Sequence, residues 1–145
     1  NILISKSNKG IVLTDLSDLK RFSFVMWQGG WQNLGSQFEE QYRPDANGAF
    51  PANYFQAPSQ LSQNKMFWAD RVQIIVIDKT IFEHNKKLLS NEFDTTVALT
   101  YHDVIKKKTS YSVVFHDDQF RLQFNQGLKK IMADGTYAKI IERYK

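Results

Sequence analysis

The hydrophobic pattern changes period several times along the chain, and each change marks an element. Residues 22–27 (FSFVMW) form a strand-like run, closed by the turn residues Gln28, Gly29 and Gly30. From Trp31 the spacing turns helical, with Trp31, Leu34, Phe38 and Tyr42 recurring every three or four residues. Pro44, Asn47-Gly48 and Pro51 interrupt that pattern and predict a loop. Residues 53–56 suit a short strand, and Pro58 is expected early in a helix reaching residue 69. Residues 72–77 (VQIIVI) are almost all β-branched and apolar, the signature of a strand covered on both faces at the centre of a parallel sheet. Asp78 closes that run, and residues 79–89 read as a helix. Residues 95–101 and 110–115 are two further strand candidates. Strands alternating with helices of about ten residues imply right-handed βαβ units, so the expected class is α/β with a mostly parallel sheet.

The C-terminal end carries the clearest helical stripe. Asp117 or Asp118 can cap a helix that places Phe120, Phe124, Leu128, Ile131 and Met132 on one face. Gly135 supplies its left-handed terminus, and a second short helix carries Tyr137, Ile140, Ile141 and Tyr144. Burying a large apolar side chain stabilises by roughly 1.5–3 kcal/mol, so nine such residues left in water would forgo more than about 10 kcal/mol. That rivals the whole net stability of a typical domain, so these helices are expected to pack on a substantial surface.

At 145 residues, 42% hydrophobic and 14% aromatic, the chain can bury a real core, which excludes a disordered protein. No apolar run approaches the roughly 18 residues that span a bilayer. Without Cys there is no disulfide framework, thiolate zinc site or cysteine nucleophile. The +4 net charge has a single cluster, Lys106 to Lys108, in a segment that reads as a solvated turn, so nucleic acid is not an expected partner. His84, His102 and His116 are scattered, with no metal-ligand spacing, and no cofactor fingerprint or nucleophile elbow is present. Neither metal, cofactor nor catalysis is expected.

Two places invite a ligand. Asp78 ends the most buried-looking strand, at the sheet edge where open α/β sheets bind ligands. Its carboxylate suits a ligand ammonium, and it equally suits an N-cap for the following helix. Gln28, Gly29, Gly30 and Trp31 join a strand to a helix start, where free N–H groups and the helix dipole favour an anion. Trp31 can stack on a bulky ligand or serve its own helix face as a core residue.

Residues 120–144 (FRLQFNQGLKKIMADGTYAKIIERY) resemble the C-terminal signature of the bacterial periplasmic solute-binding proteins of the polar-amino-acid type (family 3). In that family an apolar helix leads through a Gly-Thr-Tyr turn into a closing Ile-Ile-x-x-Tyr helix. Residues 15–20 (DLSDLK) resemble the segment before the second lobe's first strand. Residues 69–78 (ADRVQIIVID) resemble the strand whose terminal carboxylate faces the ligand, and residues 1–5 (NILIS) the strand before the first crossing between lobes. The resemblance implies a type II periplasmic-binding-protein-like lobe: a first-lobe or crossover segment at 1–14, the second α/β lobe at 15–105, and a return strand with C-terminal helices of the first lobe at 106–145. It assigns Asp78 to the ligand ammonium and Gln28 to Trp31 to its other polar end. Gly30 and Trp31 stand where relatives often place a hydroxyl residue, which removes one contact typical of α-amino acid ligands. The family's arginine for the ligand carboxylate has no counterpart here. Arg71 is expected to face solvent, and Gln73, where many relatives carry Asp, to be structural.

The implied function is capture of a small polar, amino-acid-like solute in an interlobe cleft, in the periplasm, for the membrane permease of an ABC-type transporter. The N-terminal part of the first lobe has no counterpart in residues 1–145. The terminal helices are then expected to use a domain-swapped homodimer or a first lobe outside this chain; folding back on the sheet is the alternative. A ligand-sensing domain of a signalling receptor and a periplasmic dehydratase-like enzyme are the rival functions.

Overall fold

The computed structural model describes residues 1–105 and 112–143, and the chain divides into two compact units, Asn1–Thr109 and Ser110–Lys145.

The first unit is built on five strands: β1 (Ile2–Lys6), β2 (Phe24–Trp27), β3 (Tyr54–Ala57), β4 (Ile74–Ile77) and β5 (Leu99–His102), in the spatial order β3-β2-β4-β1-β5. The class is α/β, as the alternating pattern implied. Strands β2, β3 and β4 run parallel, whereas β1 lies antiparallel to both β4 and β5. Four strands therefore point one way and β1 alone opposes them, so the sheet is mixed. The central apolar run behaves as its composition demanded. Ile74 and Val76 enter one core cluster with Leu3, Phe24 and Met26, while Ile75 and Ile77 enter a second with Ile4 and Val25. Period-two alternation thus feeds both faces of the sheet.

Each face carries helices. Helix α1 (Ser36–Tyr42) sets Phe38 and Tyr42 on the first cluster, where the Tyr42 ring meets Phe24 edge-on at 4.9 Å. Helices α2 (Gln60–Trp68) and α3 (Lys79–Leu88) cover the other face through Phe67, Trp68 and Phe82. The crossovers β2-α1-β3 and β3-α2-β4 step in opposite directions on opposite faces, the arrangement that gives both the same hand.

Several boundaries differ from the sequence reading. The helix expected from Trp31 to Tyr42 is interrupted. A four-residue 3-10 turn (Gly30–Asn33) comes first, and α1 starts only after Gly35, whose φ of 102° no side-chain-bearing residue adopts readily. Leu34, Phe38 and Tyr42 keep the buried face nonetheless. Helix α2 begins two residues after Pro58, because Ser59 caps it through Ser62 N–H at 3.1 Å. Strand β5 occupies only the end of the segment expected at 95–101. Of the strand expected at 110–115, residues 112–115 are described and adopt no regular structure, and the remainder lies outside the described residues, as do Lys106 to Lys108 and Tyr144.

The lower edge of the sheet, where β1 ends and β4 begins, is locked by charge. The buried Lys6 ammonium donates to the Trp68 carbonyl at 3.0 Å and to Asp70 at 2.8 Å, and Asp70 also meets Lys9 at 3.3 Å. Gln73 accepts from Ser23 N–H at 3.0 Å, the structural role expected for it, and Arg71 is exposed.

The second unit contains α4 (Asp118–Ala133), capped by Asp117, and α5 (Thr136–Glu142), with Gly135 between them at φ 78°. Neither helix has a buried residue. Phe120 is 64% exposed, and Phe124, Met132, Tyr137 and Ile140 are exposed too. Among the described residues of the stripe only Leu128, Ile131 and Ile141 are half-buried.

Candidate functional site

The strand order locates a crevice before any side chain is considered. After β2 the chain turns to the α1 face and moves outward to β3. After β4 it turns to the opposite face, into α3. Adjacent parallel strands whose connections leave on opposite faces open a gap at their C-terminal ends, and open α/β sheets bind ligands in such gaps. Here the gap lies between the ends of β2 and β4, and the ladder itself stops there: pairing runs through Phe24↔Ile74 and Val25↔Ile75. Beyond it the fully buried Gln63 of α2 takes over. Its Nε2 donates to the Val25 carbonyl at 3.1 Å and the Val76 carbonyl at 2.7 Å, fixing the two strands where they part.

Two of the expected ligand segments flank this gap. Gln28, Gly29 and Gly30 follow β2, and Asp78 follows β4. Gln28 and Asp78 are each the first residue beyond the end of their strand. On the far side of Asp78, β1 begins at Ile2, opposite Ile77, and β5 ends at His102, opposite Leu3. The chain therefore enters and leaves this sheet by neighbouring strands at the same edge.

Asp78 is half-buried and caps α3, its Oδ1 accepting from Thr80 N–H at 2.8 Å and Ile81 N–H at 3.2 Å. Both cap bonds use one oxygen, which leaves Oδ2 for another donor. The capping role is therefore present, and it does not compete with a ligand role. The Lys79 ammonium stands 5.2 Å over the Tyr101 ring, whose hydroxyl donates to Glu83 at 2.5 Å. Burial, then the Glu83 carboxylate, pushes the Tyr101 hydroxyl pKa well above its usual value.

The glycine turn is less suited to an anion than its sequence suggested. Gln28 N–H donates to the Ala57 carbonyl at 2.9 Å and Gly29 N–H to Gln56 Oε1 at 2.8 Å, so both donors are engaged. The helix that follows is one 3-10 turn, too short to present a useful dipole. Gly30 has a packing reason instead. A Cβ there would stand 2.9 Å from Met26 Cε and 3.3 Å from Met26 Cβ, so a larger residue would have to push the Met26 side chain aside for the turn to close onto β2. Trp31 is half-buried against the first core cluster, on the side of Leu34 and Phe38.

The sequence reading missed Trp27. It is the last residue of β2 and 47% exposed, although Phe24, Val25 and Met26 before it are buried. A strand ending in an exposed tryptophan beside a Gly-Gly turn was the available signal.

A separate open cleft of about 480 Å³ runs beside α1, between residues 15–17, 34–38 and 104–105, with Phe38 in its wall. It brings together none of the expected ligand residues. Its one charged lining group among the described residues, Asp15, is engaged as the cap of a 3-10 helix through Ser17 N–H at 2.6 Å. Of the histidines, His84 and His116 are exposed, whereas His102 is buried and shares a 2.8 Å hydrogen bond with Ser5 Oγ. Burial lowers the His102 pKa, and a pair sealed in the sheet offers no reactive surface. Among the described residues no group of His, Asp or Glu could hold a metal ion, and no helix is long and apolar enough to cross a membrane.

No protein-family model matches the chain, and no curated protein sequence matches it.

Proposed function

We propose that the first unit is one lobe of an extracytoplasmic solute-binding protein, and that its ligand edge is the gap between β2 and β4. The observation that carries this reading is the coincidence at one sheet edge of three features: the topological switch point, the half-capped Asp78 carboxylate, and the neighbouring strands β1 and β5 by which the chain arrives and departs. A second lobe joined through those two strands would face this edge and close over it by hinge motion, a ligand-driven shift between open and closed populations. Asp78 Oδ2 would accept from a solute ammonium, and the Gln28 to Gly30 turn would border the solute's other end. The exposed stripe on α4 and α5 fits the same reading, as a surface shaped to complete a first lobe. The type II periplasmic arrangement and delivery to an ABC-type permease belong to this proposal.

The test is a titration of the isotope-labelled chain with polar amino acids, followed by amide resonances. Weak, millimolar binding is expected, because one lobe supplies only half of a cleft, with movement at Gly29, Gly30 and Asp78 that Asp78→Asn abolishes. Micromolar binding, shifts mapping to the α1 cleft, or no shifts at all would overturn the reading.

A further inference from the structure

We infer that His102 makes the seam between β1 and β5 an acid-sensitive latch, in which protonation of the imidazole releases the edge strand β5 while the rest of the sheet holds.

The topology makes such a release local. Among the described residues β5 has one strand neighbour, β1, and four paired positions, from Leu3↔His102 to Lys6↔Leu99. Opening four residues at a sheet edge exposes far less buried surface than unfolding the sheet, so it is the cheapest way for water to reach a group in this seam.

Two side-chain pairs staple the seam. His102 shares a 2.8 Å hydrogen bond with the Ser5 hydroxyl, and next to it the Ser7 and Thr100 hydroxyls meet at 2.9 Å. Residues directly opposite across a ladder share a face. His102 therefore lies on the side of its partner Leu3, which belongs to the first core cluster with Ile11, Leu13 and Ile105. Ser5 is fully buried, and His102 is only 7% exposed.

This place suits a neutral imidazole, because no carboxylate among the described residues pairs with it. The ionisable residues of the two strands are engaged on the opposite face: Lys6 with Trp68 and Asp70, and Tyr101 with Glu83, under Lys79. Asp103, just beyond the strand, is exposed, as are Glu39 and Glu40 of α1. On the side of the first cluster, Asp15 accepts from Ser17 and Asp18 from Thr14 and Arg21, while Tyr42 is packed against Phe24. A charge placed at His102 would be buried with only a hydroxyl for company, which is costly.

The direction with pH follows. Burial lowers the His102 pKa in the folded chain, below the unfolded value of about 6.5. As pH falls through 6.5 the opened strand takes up a proton that the closed seam resists, so closure weakens until the folded value is reached. While the closed form stays neutral, the opening constant rises by up to about ten-fold between pH 7.5 and 5.5.

The test is amide hydrogen exchange of the full chain at pH 7.5 and 5.5, with each rate divided by the intrinsic rate at that pH. Protection of β5 amides is expected to fall by up to about ten-fold at the lower pH, and that of β2 and β4 by less than about two-fold. His102→Gln keeps a hydrogen-bonding side chain and does not titrate, so its β5 protection should stay level. In the parent, the His102 ring resonance should titrate below about 6.5, a readout that needs no variant. A ring titrating at or above 6.5, unchanged β5 protection, equal losses in β5, β2 and β4, or a pH dependence that survives in His102→Gln would overturn the latch. It involves none of Gln28, Gly29, Gly30 or Asp78, so it stands or falls apart from the solute reading.

Discussion

Replacing Gln63 tests whether the gap between β2 and β4 is held open by a designed contact or is incidental. The side chain is fully buried, and one amide nitrogen serves the carbonyls of Val25 and Val76. Gln63→Ala strips both carbonyls of that donor, and a buried group left unsatisfied costs about 1–3 kcal/mol. It also leaves a cavity that the surrounding strands fill only in part. One term opposes these losses: Gln63 Oε1 is itself buried without a partner among the described residues, and truncation removes that penalty. The net expectation for Gln63→Ala is a loss of about 3 kcal/mol. Gln63→Met keeps the volume and also removes the unpartnered oxygen, so about 1–2 kcal/mol should be lost. Urea unfolding followed by tryptophan fluorescence reads the first unit alone, because Trp27, Trp31 and Trp68 all lie in it. A loss under about 1 kcal/mol in Gln63→Ala, or equal losses in both variants, would refute the account of the bridge.

Three further outcomes are expected. Asn caps helices as well as Asp does, so Asp78→Asn should unfold within a few tenths of a kcal/mol of the parent while Asp78→Ala loses about 1 kcal/mol; equal losses would remove the cap as the reason for the residue. Asp18 is held down to about 2, chiefly by Thr14 N–H and hydroxyl donors, and Asp70 is lowered chiefly by its bond to Lys6. With folded values below the unfolded value of about 3.9, their contribution is complete above pH 4 and is lost as pH falls toward 2. The urea midpoint of Asp18→Asn should therefore fall less steeply than the parent's between pH 4 and 2, and parallel slopes would contradict the assignment. Finally, the exposed stripe on α4 and α5 should drive self-association, so light scattering is expected to report more than one 16.9 kDa chain. Phe120→Ser with Phe124→Ser should reduce the mass toward a single chain, and a monomeric parent would refute this.

How far the sequence reaches depends on the range of the interaction. Residues 72–77 announced a doubly covered central strand, which forms over Ile74–Ile77, because a run of β-branched apolar residues has no other stable place. Asp117, Gly135 and the α4 stripe were equally legible, since capping and helical periodicity act within a few residues. Asp78 could be assigned to a strand end with two compatible roles, and both its position and the cap are present. The broken helix at Gly35 was hidden because Trp31, Leu34 and Phe38 keep a helical spacing across a residue whose φ the pattern does not reveal.

What only the tertiary structure decided is pairing and exposure. Nothing local tells β1 to insert antiparallel between β4 and β5, yet that choice brings the arriving and departing strands to one edge. The parting of β2 from β4 depends on Gln63, an amide from a helix far along the chain that a local pattern treats as surface. Trp27 reads as one more apolar residue of its strand until the neighbouring strand ends show that the core stops beside it. Local sequence fixes conformations because their energies are settled among near neighbours; it leaves the proposed ligand edge open because that edge is made by contacts between residues tens of positions apart.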